Sequence, residues 1–196
     1  QRNPELEREL FGDTNTIQQG INFKNYDDIP VEVSGRDAPA AIANFEESDL
    51  CAVLKQNIGL CNYSTPTPIQ KHSVPCVLGG RDLMACAQTG SGKTAAFLLP
   101  IIHNLCTKGS AGFKSSGYNN REVYPSAVIL SPTRELAIQI HVQARKFLYC
   151  TGLKTCVVYG GADWRKQARD LRYGVDIIVA TPGRLMDFME KGLVTM

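Results

Sequence analysis

The chain has 196 residues, 43% of them hydrophobic and 20% charged, with a net charge of +2 and an isoelectric point near 8.2. That size and balance suit one globular domain carrying an extension and exclude a disordered polyelectrolyte. With so little net charge, any contact with nucleic acid must come from cations placed locally rather than from a global basic field. Seven cysteines, odd in number and without C-x-x-C spacing, predict buried, reduced thiols in an intracellular protein rather than a disulfide framework or a zinc site. The run AAFLLPIIHNL is broken by Pro100 and is too short to cross a bilayer, and QRNPELEREL at the start lacks a signal-peptide core.

In chain order, residues 1–44 hold few large apolar side chains. A short helix is expected over Glu5 to Phe11, then an extended stretch, GINFKNYDDIPVEVSGRDAPA, with turns at Gly35 and Pro39. This reads as an arm laid on a domain rather than a domain itself. From Phe45 the texture changes, and apolar residues at 50, 53, 54 and 58 have helical spacing. IQKHSVPCVLGG predicts a second helix interrupted by proline. Four strand-like runs follow, DLMACA, SAVILS, KTCVVYG and DIIVA, alternating with the helical patterns TAAFLLPIIHNLC, ELAIQIHVQARKFLY, DWRKQARDLRY and GRLMDFMEK. Apolar strands alternating with helices predict a doubly wound α/β domain, a parallel sheet covered on both faces. Between the first two of those strands, residues 107–125 are rich in Gly, Ser and Asn and carry Lys108, Lys114 and Arg121. They suit a solvated linker or a basic finger touching a partner equally well.

The stretch ACAQTGSGKTAAF, residues 85–97, carries chemistry. Ala87-Gln88-Thr89-Gly90-Ser91-Gly92-Lys93-Thr94 fits the phosphate-loop pattern G-x-x-x-x-G-K-[S/T] except at its first position, Ala87. Gly90 and Gly92 let backbone N–H groups approach phosphate oxygens. Lys93 can reach the β- and γ-phosphates, and the Thr94 hydroxyl can ligate Mg²⁺. The loop runs into a helix N-terminus, whose partial positive charge favours an anion. A glycine-rich turn that binds nothing is the bland alternative; the flanking strand and helix and the Lys-Thr in register argue against it. A P-loop kinase or GTPase would use the same loop, but the guanine-reading N-K-x-D of a GTPase does not occur in the sequence.

Two later strands end alike. SAVILS runs into Pro132-Thr133-Arg134, and DIIVA into Thr181-Pro182-Gly183-Arg184. Ser131 and Thr181 are cap candidates, each followed by proline at the expected first helical position. Each then puts an arginine in the first turn, where a cation opposes the helix dipole at a cost of a few tenths of a kcal/mol; Glu135 is a possible partner for Arg134. Two such arginines at the carboxyl ends of sheet strands, where ligands sit in this architecture, suggest a shared anion. With Gly160-Gly161 after KTCVVY, they outline an extended polyanion surface read through phosphates and sugar. Three unremarkable helix caps are the alternative.

Together these residues resemble the first RecA-like domain of a DEAD-box RNA helicase, from about Phe45 to the end of the chain. AQTGSGKT resembles the family's phosphate loop, in which alanine at the first position is ordinary. PTREL (132–136), Gly160-Gly161 and TPGR (181–184) are similar to its RNA-contacting motifs, and TPTPIQ (65–70), with Phe45 upstream, to its adenine-reading motif. The likeness is strongest to the Vasa and Belle branch, through GINFKNYDDIPVEVSG and VVYGGAD. It divides the chain into an extension, 1–44, and an N-terminal RecA-like domain, 45–196.

The resemblance implies ATP and Mg²⁺ as cofactors. Its ATP-binding residues are Phe45, Tyr63, Thr67, Gln70, Gln88, Thr89, Gly90, Ser91, Gly92, Lys93 and Thr94. Lys93 and Thr94 take the catalytic roles, and Thr94 the metal. Gln70 would donate to and accept from adenine, and Tyr63 would stack on it. RNA falls to Pro132, Thr133, Arg134, Gly160, Gly161, Thr181, Pro182, Gly183 and Arg184. Further expectations are a second RecA-like domain as partner, a cytoplasmic location and no membrane. D-E-A-D itself does not occur in these residues. In the family its carboxylates help hold Mg²⁺ and position the attacking water, so this stretch alone is expected to bind ATP weakly and hydrolyse little. An ATP-regulated RNA clamp that does not unwind duplexes is the non-catalytic alternative.

Overall fold

Three strands, Ala127–Leu130 (β1), Thr155–Val158 (β2) and Ile177–Ala180 (β3), form a parallel sheet in the order β1-β3-β2. The structure is a computed structural model that describes residues 2–12, 30–109 and 122–196. Most of the stretch expected to be a solvated linker or a basic finger (110–121) and part of the expected extended arm (13–29) lie outside the described residues. The chain divides into two compact units, residues 1–107 and 108–196.

The first unit is helical where it is regular. Helix α1, Pro4–Phe11, starts at Asn3, whose side-chain oxygen accepts from the N–H groups of Glu5 (3.0 Å) and Leu6 (3.2 Å). Helix α2, Ala52–Leu60, begins later than the apolar spacing suggested, because residues 43–48 form bends in which the Ser48 hydroxyl donates to the Phe45 carbonyl. Helix α3, Pro68–Leu78, contains Pro75, which has no N–H for the carbonyl four residues back. That carbonyl, of Lys71, instead accepts from the Ile42 backbone N–H at 3.0 Å. The proline thus frees an acceptor that pins the preceding segment to α3. Helix α4, Lys93–Lys108, buries Ala95, Ala96, Leu98, Leu99, Pro100 and Ile102.

DLMACA was expected to be a strand, but among the described residues nothing pairs with it. Residues 81–88 are irregular, with Leu83 44% and Met84 91% exposed. An apolar run becomes a strand only where another strand supplies its ladder.

The second unit has the expected alternation. Helix α5 (Arg134–Phe147) joins β1 to β2, α6 (Trp164–Arg172) joins β2 to β3, and α7 (Pro182–Glu190) follows β3. All four residues of β3 are buried, as a central parallel strand covered on both faces requires. Side chains alternate across the sheet. Ile178 and Ala180 pack with Cys156 and Val158 of β2, Ala168 and Leu171 of α6, and Leu185 and Phe188 of α7. Ile177 and Val179 face the other way, toward α5, which packs on β2 and β3. There the His141 ring lies 3.4 Å from the Thr155 hydroxyl.

All seven cysteines are thiols, but burial is not uniform as expected: Cys61 and Cys156 are buried, whereas Cys86 and Cys150 are exposed. Burial pushes the Cys156 thiol up to about 12, with Asp170 adding to the shift. Among the described residues no helix is long and apolar enough to cross a membrane.

Burial, aided by Arg145, pushes the His141 imidazole down to about 4 from 6.5. The unfolded chain therefore takes up a proton near pH 6.5 that the folded chain refuses until about pH 4. Stability should be full above that window and fall as the pH drops through it, by about 3 kcal/mol in total. Denaturation midpoints measured across the window should show this slope in the native chain and a flatter one in His141→Gln.

Candidate functional site

The phosphate loop closes the gap between residue 87 and the first turn of α4. Gly90 and Gly92 have φ of +82° and +88°, the left-handed region that favours glycine. The Ser91 N–H bonds to the Gln88 carbonyl at 3.3 Å, closing the turn. Lys93 Nζ donates to the carbonyls of Ala87 and of Gln88 (2.9 Å for the latter), so the ammonium lies within the loop. Thr94 is half-buried in the first turn of α4, and Gln88 and Thr89 are exposed.

Thr67 and Gln70 are brought to this loop from α3. Thr67 is the N-cap of α3, and its backbone N–H donates to Gln70 Oε1 at 3.0 Å. Gln70 Nε2 donates to the Gly92 carbonyl at 3.1 Å, an oxygen that also accepts the Ala96 N–H of α4. One buried amide therefore joins the start of α3 to the start of α4. This contact needs glycine: a Cβ at residue 92 would lie 2.5 Å from Gln70 Nε2 and 3.0 Å from Thr67 Oγ1. The absent side chain makes room for Gln70. Two buried hydroxyls here, Thr67 Oγ1 and Ser91 Oγ, have no hydrogen-bond partner among the described residues.

A cleft of about 810 Å³ lies beside the loop, between residues 30–39, α3 and residues 81–88, and reaches Gln88 and Ser91. Arg81 ties its rim by donating to the carbonyls of Asp37 (2.6 Å) and Arg36. Phe45, which is buried, and Tyr63, half-buried after α2, do not line it.

In the second unit, the carboxyl ends of the three parallel strands carry the other predicted residues. The start of α5 differs from expectation. Its N-cap is Thr133, whose hydroxyl accepts the Leu136 N–H at 3.3 Å; Ser131 instead donates its hydroxyl to the Thr133 carbonyl. Pro132 is thus outside the helix and Arg134 is its first residue, because a threonine nearer the helix captured the cap. Helix α7 starts as expected, with Thr181 as N-cap and Pro182 at the first position, although the Thr181 side chain makes no cap bond.

The two arginines converge on one loop. The Arg134 guanidinium sits over the Tyr159 ring, 4.9 Å from its centroid, rather than reaching for Glu135. Arg184 donates to the Ala162 carbonyl at 3.3 and 3.4 Å, and lies 5.7 Å from the centroid of Phe188. Between Tyr159 and Ala162 stand Gly160 and Gly161, where an added Cβ would meet nothing within 4 Å; the same is true at Gly183. The loop is held from below by Gln167 of α6. Its Oε1 accepts the Tyr159 N–H at 2.9 Å and its Nε2 donates to the Tyr159 carbonyl at 3.0 Å.

Tyr159 and Gln167 were absent from the sequence-derived set. The signal for Gln167 was an amide on the buried side of α6, beside Ala168 and Leu171. For Tyr159 it was an aromatic ring next to the paired glycines.

The family model of the DEAD/DEAH box helicase matches residues 67–195, from the α3 cap through all of these loops. The chain belongs to the DEAD/DEAH box helicase family. Among solved structures, this helicase-family chain is similar to the RNA helicase Prp28 from Chaetomium thermophilum bound to ADP. The two are 43% identical over 83% of this chain and 38% of that one, with a TM-score of 0.71. It is also similar to a DEAD box protein from the hyperthermophile Methanococcus jannaschii, at 32% identity over 80% of this chain and 39% of that one, with a TM-score of 0.66. The chain thus spans well under half the length of either protein. The α/β architecture and parallel sheet agree with a RecA-like domain.

Two glycines separate these effects. Gly161 has φ +77° but open space, so Gly161→Ala should cost only its backbone strain, about 1 kcal/mol. Gly92→Ala combines similar strain with displacement of the Gln70 amide and should cost at least about 1 kcal/mol more. Thermal melts of the two variants should rank them in that order, and Gln70→Ala should narrow the difference.

Proposed function

We propose that residues 45–196 are the ATP- and RNA-binding N-terminal RecA-like domain of an ATP-dependent RNA helicase. In the whole protein, ATP and single-stranded RNA would bring this domain against a second RecA-like domain. That closure would bend the strand, separate short duplexes locally, and be undone by hydrolysis. The observation that carries the reading is the bond from Gln70 to Gly92, which ties the adenine-reading motif to the phosphate loop.

The loop fits a nucleoside triphosphate. Two left-handed glycines, a buried Ser91 hydroxyl lacking a partner among the described residues and the N-terminus of α4 offer donors to phosphate oxygens. Lys93 exchanges the Ala87 and Gln88 carbonyls for the β- and γ-phosphates. Thr94 offers one hydroxyl oxygen, a donor that suits Mg²⁺, which keeps most of its ligands as water and phosphate and would neutralise phosphate charge. Gln70 uses one acceptor position and one N–H inside the protein, which leaves one of each for the adenine edge; Tyr63 supplies stacking. Arg134, Arg184 and the Gly160-Gly161 loop take RNA phosphates, with Pro132, Thr133, Thr181, Pro182 and Gly183 shaping the helix starts. GINFKNYDDIPVEVSG and VVYGGAD support a place near the Vasa and Belle branch, and with it a cytoplasmic role.

Two binding measurements test this. A fluorescent ADP should be displaced by ATP and not by GTP; equal displacement by GTP would remove the adenine assignment. Arg134→Glu combined with Arg184→Glu should weaken RNA binding by at least tenfold, each lost phosphate contact lowering the salt slope by about one. ADP binding should be unchanged in that variant, and an unchanged RNA affinity would defeat the assignment of these arginines.

A further inference from the structure

The loop held by Arg184 ends on an aromatic ring that none of the assignments above uses. Trp164 is the first residue of α6 and the only tryptophan of the chain, and it is 40% exposed. Two cations hold its indole: Lys191 Nζ lies 4.7 Å from the ring centroid and Arg165 Cζ lies 5.7 Å from it. Lys191 comes from the end of α7 and also pairs with Asp187 at 2.7 Å, so the ring is braced between two helices. A large aromatic surface left in water costs free energy, and pinning its rotamer costs entropy. A ring both exposed and pinned suits a flat ligand, which would take the place of one of the two cations on its face.

Its surroundings favour a nucleic-acid base over an apolar protein segment. Three residues upstream lies Gly161, open to solvent, and two upstream is Ala162, whose carbonyl receives Arg184. The exposed side of α6 carries Arg165, Lys166, Arg169 and Arg172 against the single carboxylate Asp170. An apolar partner would have to strip water from these charges and from the Lys191–Asp187 pair. A nucleotide would leave them hydrated or meet them with phosphate while its base covers the indole.

We propose that Trp164 is a base-stacking platform for single-stranded RNA, continuous with the Gly160-Gly161 loop. The proposal rests on the reading of Arg134, Arg184 and that loop as a phosphate surface, and it adds a subsite for a base. Stacking is tolerant of sequence, because every base has a π-face. The platform strengthens binding and sets the path of the strand without selecting a base.

The test uses this chain, a labelled short oligoadenylate, and an oligonucleotide of equal length lacking bases. Trp164 is the sole tryptophan, so its emission reports one site. Oligoadenylate should quench it in step with the rise in anisotropy. Trp164→Leu should weaken oligoadenylate binding by roughly tenfold with the same salt slope, since no phosphate contact is lost. Trp164→Phe should restore part of the affinity, and the baseless strand should bind both variants like the native chain. If oligoadenylate binds the native chain while emission stays constant and Trp164→Leu binds equally well, the platform is refuted and the phosphate surface stands. If neither strand binds at all, the phosphate surface fails and the platform with it.

Discussion

The pairing of β3 with a parallel neighbour on each side is the constraint on which the second unit depends. Ile177–Ala180 is hydrogen-bonded to both β1 and β2 and buried on both faces. Parallel strands cannot be joined by a tight turn, so each connection must cross back over the sheet, as α5 and α6 do here. All three carboxyl ends therefore open on the same edge, and each feeds the beginning of a helix. That is how residues 131–134, 159–163 and 181–184, far apart in the chain, come to share one surface. Leu130, at the end of an outer strand, is 59% exposed, whereas Ala180 beside it is buried, which marks where cover by the helices stops.

At that edge the arginines are placed against the local preference of the helices they begin. A cation in the first turn opposes the helix dipole by a few tenths of a kcal/mol, and each arginine has a local contact of comparable size. Arg134 finds the face of Tyr159, and Arg184 the Ala162 carbonyl. An exposed cation–π contact contributes about 0.5–1 kcal/mol, enough to orient a side chain and too little to hold it against a phosphate. Both contacts fall on one short loop, whose backbone is clamped by Gln167. The two cations thus take their positions from one short loop, Arg134 from a side-chain ring and Arg184 from a carbonyl.

The first unit is organised by groups that are missing. Gly92 lacks the Cβ that would strike Gln70, and so the α3 amide reaches the start of α4. Pro75 lacks the N–H that would occupy the Lys71 carbonyl, and so Ile42 bonds there and the preceding segment is anchored. In each case a residue that weakens its own helix or turn opens a place for a distant one. Nucleotide recognition, on the proposed reading, inherits this economy, because the amide that supports the loop still has one donor and one acceptor position to offer.

The sequence by itself determined the features that depend on neighbours within a turn or two of the chain. These include the left-handed glycines of the phosphate loop, the helix starting at Lys93, the alternation of apolar strands with helices, and Thr181 as a cap. Covalent geometry and side-chain period act locally, so they are legible without knowing the partner. Only the tertiary structure decided which groups meet. It placed Gln70 against Gly92, Arg134 over Tyr159 and Gln167 beneath the paired glycines, and it moved the α5 cap from Ser131 to Thr133. Among the described residues it also left 81–88 without a strand partner, although its composition resembles that of the other strands. A hydrogen bond or a stacked ring needs a partner brought from elsewhere in the chain, and no residue pattern states which segment will arrive.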